Sequence, residues 1–163
     1  MIIILMGVAG SGKTAVGQAL ARALGFDFVE GDELHSAENR TKMSAGIALD
    51  DQDRMPWLAA IAMRIRDYLD QKRGLVVSCS ALKAAYRKQL LLSPKVRLVY
   101  LKGDPTLIAR RLKQRKKHFF NAQLLQSQFD TLEEPEEALT VHIDQPVAAI
   151  VATIRAELVR TQG

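Results

Sequence analysis

The chain has 163 residues, 48% hydrophobic and 25% charged, with a formal net charge of +5. That length supports one sizeable core, and that balance excludes a disordered chain. No apolar run approaches the roughly 18–20 residues of a membrane span, and the single cysteine, Cys79, has no partner for an internal disulfide, which fits a reducing cytoplasm.

Ile2 to Met6 form a continuous apolar run rich in β-branched residues, the pattern of a strand buried on both faces. No basic segment precedes the run and no small-residue cleavage site follows it, so it reads as a strand rather than a signal peptide. A glycine-rich turn comes next, then a helix over Ala15 to Leu24 with Gly25 as its stop, then a strand over Phe26 to Glu30. A helix is predicted from Asp53 as cap, with Pro56 in its first turn and Trp57, Leu58, Ile61, Ile65, Tyr68 and Leu69 on one face. Gly74 ends that stretch, and Leu75 to Cys79 form a third buried strand. A helix over about Leu82 to Leu92 leads to Pro94, and a strand follows over Val96 to Leu101. The next helix runs from Pro105 into a basic cluster of Arg110, Arg111, Lys113, Arg115, Lys116 and Lys117. Leu139 to Ile143 give a last strand, and a final helix has Pro146 near its start and Val147, Ile150, Val151, Ile154 and Leu158 on one face.

Continuously apolar strands alternating with helices imply an α/β fold, a parallel sheet with helices on both sides. Ligands of such sheets bind at the carboxyl ends of the strands. Each motif below begins just after a strand, so the motifs converge on one edge.

Gly7-Val8-Ala9-Gly10-Ser11-Gly12-Lys13-Thr14 matches G-x-x-x-x-G-K-[ST] between a predicted strand and a predicted helix. The glycines let consecutive N–H groups turn toward phosphate oxygens, and the helix adds its positive end. Lys13 can reach the β- and γ-phosphates of ATP, and the Thr14 hydroxyl can ligate Mg²⁺. The motif does not by itself separate a small-molecule kinase from a GTPase or a motor ATPase. The third strand ends Val76-Val77-Ser78-Cys79-Ser80 without a Walker B aspartate, so Mg²⁺ would rely on Thr14, phosphates and water, with Glu30 or Asp32 behind them.

On the acceptor side, Asp32 follows the second strand and is placed to orient a hydroxyl and take its proton; the alternative is a helix cap. Glu30 is placed to hold a water on Mg²⁺. For Arg54 the choice is between an anionic substrate group and a salt bridge to Asp50 or Asp53. Trp57 falls on the apolar stripe and reads as core, and Cys79 reads as a buried strand residue. His35 and His118 have no metal-ligand company, so no zinc site is predicted.

The segment from Gly31 to Leu58, G-D-x-L-H-x-x-x-N-x-x-K-M-x-x-G-x-x-L-x-D-x-D-R-x-P-W-L, resembles the gluconokinase family, the small P-loop type related in fold to shikimate kinase. The resemblance continues in Cys79-Ser80-Ala81-Leu82-Lys83 with Tyr86-Arg87, in Tyr100 to Gly103, in Arg111-Leu112 with Arg115-Lys116 and His118-Phe119-Phe120, in Gln128-Phe129 with Leu132-Glu133 and Pro135, and in Asp144-Gln145-Pro146. It implies transfer of the ATP γ-phosphate to the 6-hydroxyl of D-gluconate. It also implies a three-layer α/β/α fold of nucleoside-monophosphate-kinase type, one P-loop kinase domain over 1–163, with five parallel strands and a mobile lid at about 115–123.

By the same resemblance, Asp32 is the acceptor-side carboxylate and Arg54 engages the acid end of the substrate, with His35, Lys42, Lys83 and Arg87 as further substrate-side candidates. Arg111 lies against adenine, Arg115 reaches the phosphates, and Gln145 and Pro146 belong to the adenine loop. The cofactors implied are ATP and Mg²⁺. Another small-metabolite kinase, for shikimate or a related sugar acid, is the nearest alternative. The basic run 110–117 suggests a nucleic-acid binder, but only Phe119 and Phe120 lie near it as stacking aromatics. No nucleic-acid or membrane partner is therefore expected; relatives often pair, which leaves room for a homodimer.

Overall fold

The computed structural model describes residues 1–115 and 122–162. Its centre is a sheet of five parallel strands: β1 (Ile2–Met6), β2 (Asp27–Glu30), β3 (Leu75–Ser78), β4 (Val96–Lys102) and β5 (Leu139–His142), in the order β2-β3-β1-β4-β5. The helices are α1 (Lys13–Leu24), α2 (Ala37–Ser44), α3 (Asp51–Asp70), α4 (Ala84–Leu90), α5 (Pro105–Gln114), α6 (Ala122–Thr131) and α7 (Val147–Arg160).

Alternation along β1 explains the layers. Ile3 and Leu5 point to one face and pack with Val16 and Leu20 of α1 and Ile150 and Ile154 of α7. Ile2, Ile4 and Met6 point to the other face and pack with Trp57, Leu58, Ile61 and Ile65 of α3 and Tyr86 and Leu90 of α4. A strand covered on both sides must be apolar throughout, and all five β1 residues are buried.

Three local differences from the sequence reading have clear causes. The cap of α3 is Asp50, not Asp53: Asp50 accepts from Asp53 N while the Asp53 carboxylate accepts from Asp50 N, a reciprocal box that starts the helix three residues earlier. Pro56 consequently lies beyond the first turn, inside the helix, where its ring nitrogen offers no hydrogen to the ladder. The helix after β3 begins only at Ala84, because Ala81 takes a left-handed φ of 45° and Lys83 is extended.

Two helices were not anticipated. α2 buries only Asn39 and shows no apolar stripe, whereas α6 is anchored by buried Leu125. Most of the expected lid at 115–123, with His118, Phe119 and Phe120, lies outside the described residues. No helix among the described residues is long and apolar enough to cross a membrane.

Candidate active site

The turns after the strands gather at one end of the sheet, as their order along the chain implied. The Gly7–Thr14 loop joins β1 to α1, and Gly12 caps α1 with a left-handed φ of 93°. That conformation, costly for residues with a Cβ, turns the loop so that α1 begins at Lys13. Lys13 is buried, and its Nζ donates to Gly7 O and Val8 O at 2.9 Å each. Burial lowers its pKa, and the charge of Asp32 is the foremost influence opposing that fall.

Glu30 ends β2 and receives hydrogen bonds on both carboxylate oxygens, from the Thr14 hydroxyl and from the Ser78 hydroxyl of β3. The chain turns sharply at Gly31 into a 3₁₀ turn, Gly31–Leu34. A Cβ on Gly31 would stand 2.1 Å from Ser78 O, so no other residue fits this approach of two backbones. The Trp57 indole Nε1 donates to Gly31 O at 2.8 Å and pins the turn from α3. Trp57 thus belongs to the core and also lines the site.

Asp32 follows on that turn. It does not cap α2; Ser36 does, accepting from Asn39 N at 3.1 Å. Two clefts meet at Asp32. One is lined by Gly10, Gly12, Thr14, Glu30 and Arg115. The other is lined by His35, Met43, Arg54, Trp57, Leu124 and Gln128. Ala9, Lys13 and Asp32 line both, which marks the point where a group could pass from one cleft to the other.

The second cleft has a preset polarity. His35 stacks on Trp57 at 4.2 Å. Asn39 Nδ2 donates to Asp53 O at 2.7 Å, which fixes its amide and directs the same nitrogen, 3.2 Å away, at His35 Nδ1. His35 Nδ1 is then the acceptor and Nε2 carries the proton. Burial lowers the pKa of His35, so the neutral ring is favoured. Arg54 makes no salt bridge to Asp50 or Asp53. Its Nη1 donates to Tyr86 OH at 2.9 Å and its guanidinium lies 5.3 Å from the Tyr86 ring centroid.

The remaining candidates stand outside this lining. Lys42 pairs with Asp53 at 2.8 Å and Lys83 pairs with Asp51 at 2.9 Å. Arg87 is buried and donates to Ala81 O and Leu82 O, bracing the turn after β3. Arg111 Nη2 donates to Ile143 O at 2.7 Å, tying α5 to the turn that carries Gln145 and Pro146. Val8 and Ser11 are buried within the loop. Cys79 is buried beneath the site, and burial pushes its thiol pKa up to about 12, which leaves it inert.

Sequence reasoning missed the site roles of Ser78, Tyr86 and Gln128. Ser78 carried a signal, since it stands at the strand end where a metal-side carboxylate was sought. Gln128 stood among the residues of the family resemblance but without a role, because its contact with Ala9 joins residues 119 apart in the chain.

The described side chains suit ATP and Mg²⁺. A glycine loop opening a helix with a lysine fits phosphates, and the touching Thr14 and Glu30 oxygens are the hard donors Mg²⁺ prefers.

Comparison with known proteins identifies the family. Residues 9–159 match the model of the family described as shikimate kinase. A Xenopus tropicalis protein named "Probable gluconokinase" is 41% identical, over 98% of this chain and 94% of its own. The thermoresistant gluconokinase of Escherichia coli (strain K12) is 44% identical, over 93% of this chain and 90% of its own. The crystal structure of a gluconokinase from Sinorhizobium meliloti 1021 superposes with a TM-score of 0.88 at 46% identity, covering 98% of this chain and 91% of that one. With identity of this order over nearly its whole length, the chain belongs to the gluconokinase family and carries the P-loop fold of the shikimate kinase family whose model it matches.

Proposed function

We propose that the chain transfers the γ-phosphoryl group of ATP to the 6-hydroxyl of D-gluconate, giving 6-phosphogluconate and ADP. The observation that carries the reading is the meeting of two clefts at Asp32. One has phosphate-binding chemistry; the other offers a cation, Arg54, and a neutral imidazole, His35. A polyhydroxy acid needs a cation for its carboxylate and polar groups along its chain. The names of the relatives supply the particular acid.

In this mechanism the Gly7–Thr14 backbone and Lys13 hold the phosphates, and Arg115 lies on the same cleft to offset their charge. Mg²⁺, held by Thr14 with Glu30 behind it, would supply further neutralisation of the phosphate oxygens. Arg54 binds the carboxylate end of the sugar acid, which leaves the far hydroxyl toward Asp32. Asp32 accepts that hydroxyl's proton as its oxygen bonds to the γ-phosphorus and the bond to the ADP oxygen breaks. The reading places the enzyme in the cytoplasm and requires neither nucleic acid nor a membrane.

The test is ATP turnover, coupled to ADP detection, with D-gluconate, shikimate and a panel of other sugar acids, followed by NMR location of the new phosphate. D-gluconate should give the highest kcat/KM, with phosphate on its terminal oxygen. Equal or better turnover of shikimate or another acid would overturn the assignment.

A further inference from the structure

We propose that Gln128 is a specificity-determining residue for the acceptor, its Oε1 fixed on the phosphate loop and its Nε2 donating to an oxygen of the bound sugar acid. The inference rests on the sugar-acid kinase reading above and adds a binding group to it. The Ala9 backbone N–H donates to Gln128 Oε1 at 2.7 Å. Ala9 is one of three residues that line both clefts, so this bond sits at the point of transfer. Only an oxygen can receive the Ala9 hydrogen, which settles which way the Gln128 amide faces. Nε2 is therefore the end turned away from Ala9. No hydrogen-bond acceptor for Nε2 stands among the described residues.

Gln128 is held firmly enough to read a ligand. It lies on α6, which buries Leu125 and packs half-buried Phe129 against the core. The same helix lends Leu124 and Ser127 to the acceptor cleft, making it one wall of that cleft. The same cleft is lined by Arg54 and by His35, whose Nε2 carries a proton, both donors, with Asp32 as an acceptor. A ligand matching a wall so rich in donors, with a carboxylate among them, is rich in oxygen, anionic at one end and bears a hydroxyl to give. An amide donor also discriminates, because it welcomes hydroxyl or carboxylate oxygens and would stand unpaired beside an apolar ligand.

The experiment uses the full chain with Gln128→Glu and Gln128→Leu, varying D-gluconate at saturating ATP and then ATP at saturating D-gluconate. Gln128→Glu keeps an oxygen for Ala9 N–H but replaces the donor with an anion. It should raise the gluconate KM on the order of 100-fold and leave the ATP KM within about threefold. Gln128→Leu should raise the gluconate KM roughly 10-fold. A merely structural role predicts a different split: Gln128→Glu impaired for ATP and gluconate alike, by its charge alone, and Gln128→Leu impaired for ATP with its gluconate KM unchanged. That pattern, or a Gln128→Glu gluconate KM equal to wild type, would overturn the inference. Should the leucine variant fail to fold, the nearly isosteric glutamate variant decides alone. Wild-type turnover of gluconate in the same assay tests the underlying reading separately.

Discussion

Replacing Asp32 by asparagine separates chemistry from architecture in this site. Asp32 is exposed, makes no side-chain hydrogen bond or salt bridge among the described residues, and leaves the capping of α2 to Ser36. The substitution therefore removes no hydrogen bond or ion pair of the fold, and the variant should still fold. What it removes is a charge. An amide cannot take the acceptor proton, so kcat should fall roughly 10²–10⁴-fold. That corresponds to a barrier raised by about 2.7–5.4 kcal/mol. The gluconate KM should shift only a few-fold, because the lost interaction grows in the transition state. A second consequence concerns Lys13, whose pKa burial lowers and Asp32 foremost holds up. In Asp32→Asn it falls further, so the pH at which the variant's residual activity declines on the alkaline side should move down. The assay is steady-state kinetics across pH, with calorimetric titration of ATP to verify that the phosphate loop still binds. A folded Asp32→Asn enzyme within a few-fold of wild-type kcat would refute the proton-acceptor role.

Arg54→Leu should weaken gluconate binding by about 2–4 kcal/mol while leaving ATP binding nearly unchanged, because an anionic ligand loses its charged partner. Titration with each ligand checks this, and an equal loss for both would tie Arg54 to the fold instead. His35 makes acid stability a second test. Burial holds its folded pKa below the unfolded value of 6.5, so between the two values the unfolded chain binds more protons. Stability then drains away as pH falls through that window and is fully present above it. Melting temperatures from about pH 7.5 to about pH 5 should fall more steeply for wild type than for His35→Gln. Parallel curves would show that His35 does not carry the effect.

The parts of the fold that could be read in the sequence were those with one dominant local cause. β1 is covered on both faces and so is apolar at every position; the phosphate loop needs glycines at fixed spacing; and the convergence of motifs follows from parallel topology alone. The start of α3 was harder, because Asp50 and Asp53 are both good caps and each serves the other. α2 escaped because its buried face is a single asparagine, whose purpose is to hold His35 and Asp53 O rather than to fill the core. For Arg54, two acids nearby in sequence left a salt bridge open as the alternative to a substrate role. Its actual partner, Tyr86, comes from another helix, and the nearby acid Asp51 is instead shared by Tyr86 and Lys83. Such pairings are set by tertiary approach, which no spacing rule encodes.

The missing Walker B aspartate shows how that approach can relocate a function. β3 ends in Ser78, which offers a hydroxyl where many P-loop proteins offer a carboxylate. Parallel pairing sets Glu30 of β2 level with Ser78. Residues level with each other in a parallel sheet share a face, so the Glu30 carboxylate reaches Ser78 and continues to Thr14. The carboxylate thus stands beside Thr14 but is supplied from one strand further out, with Ser78 as its brace. This leaves Glu30 and Asp32 with only Gly31 between them, yet facing different tasks. Glu30 lines only the phosphate cleft, whereas Asp32 lines both clefts. What separates them is the turn at Gly31, packed on Ser78 O and pinned by Trp57. Any side chain at 31 would push β2 off β3 and disturb both carboxylates together. The glycine and the tryptophan are therefore as necessary to the division of labour as the two acids themselves.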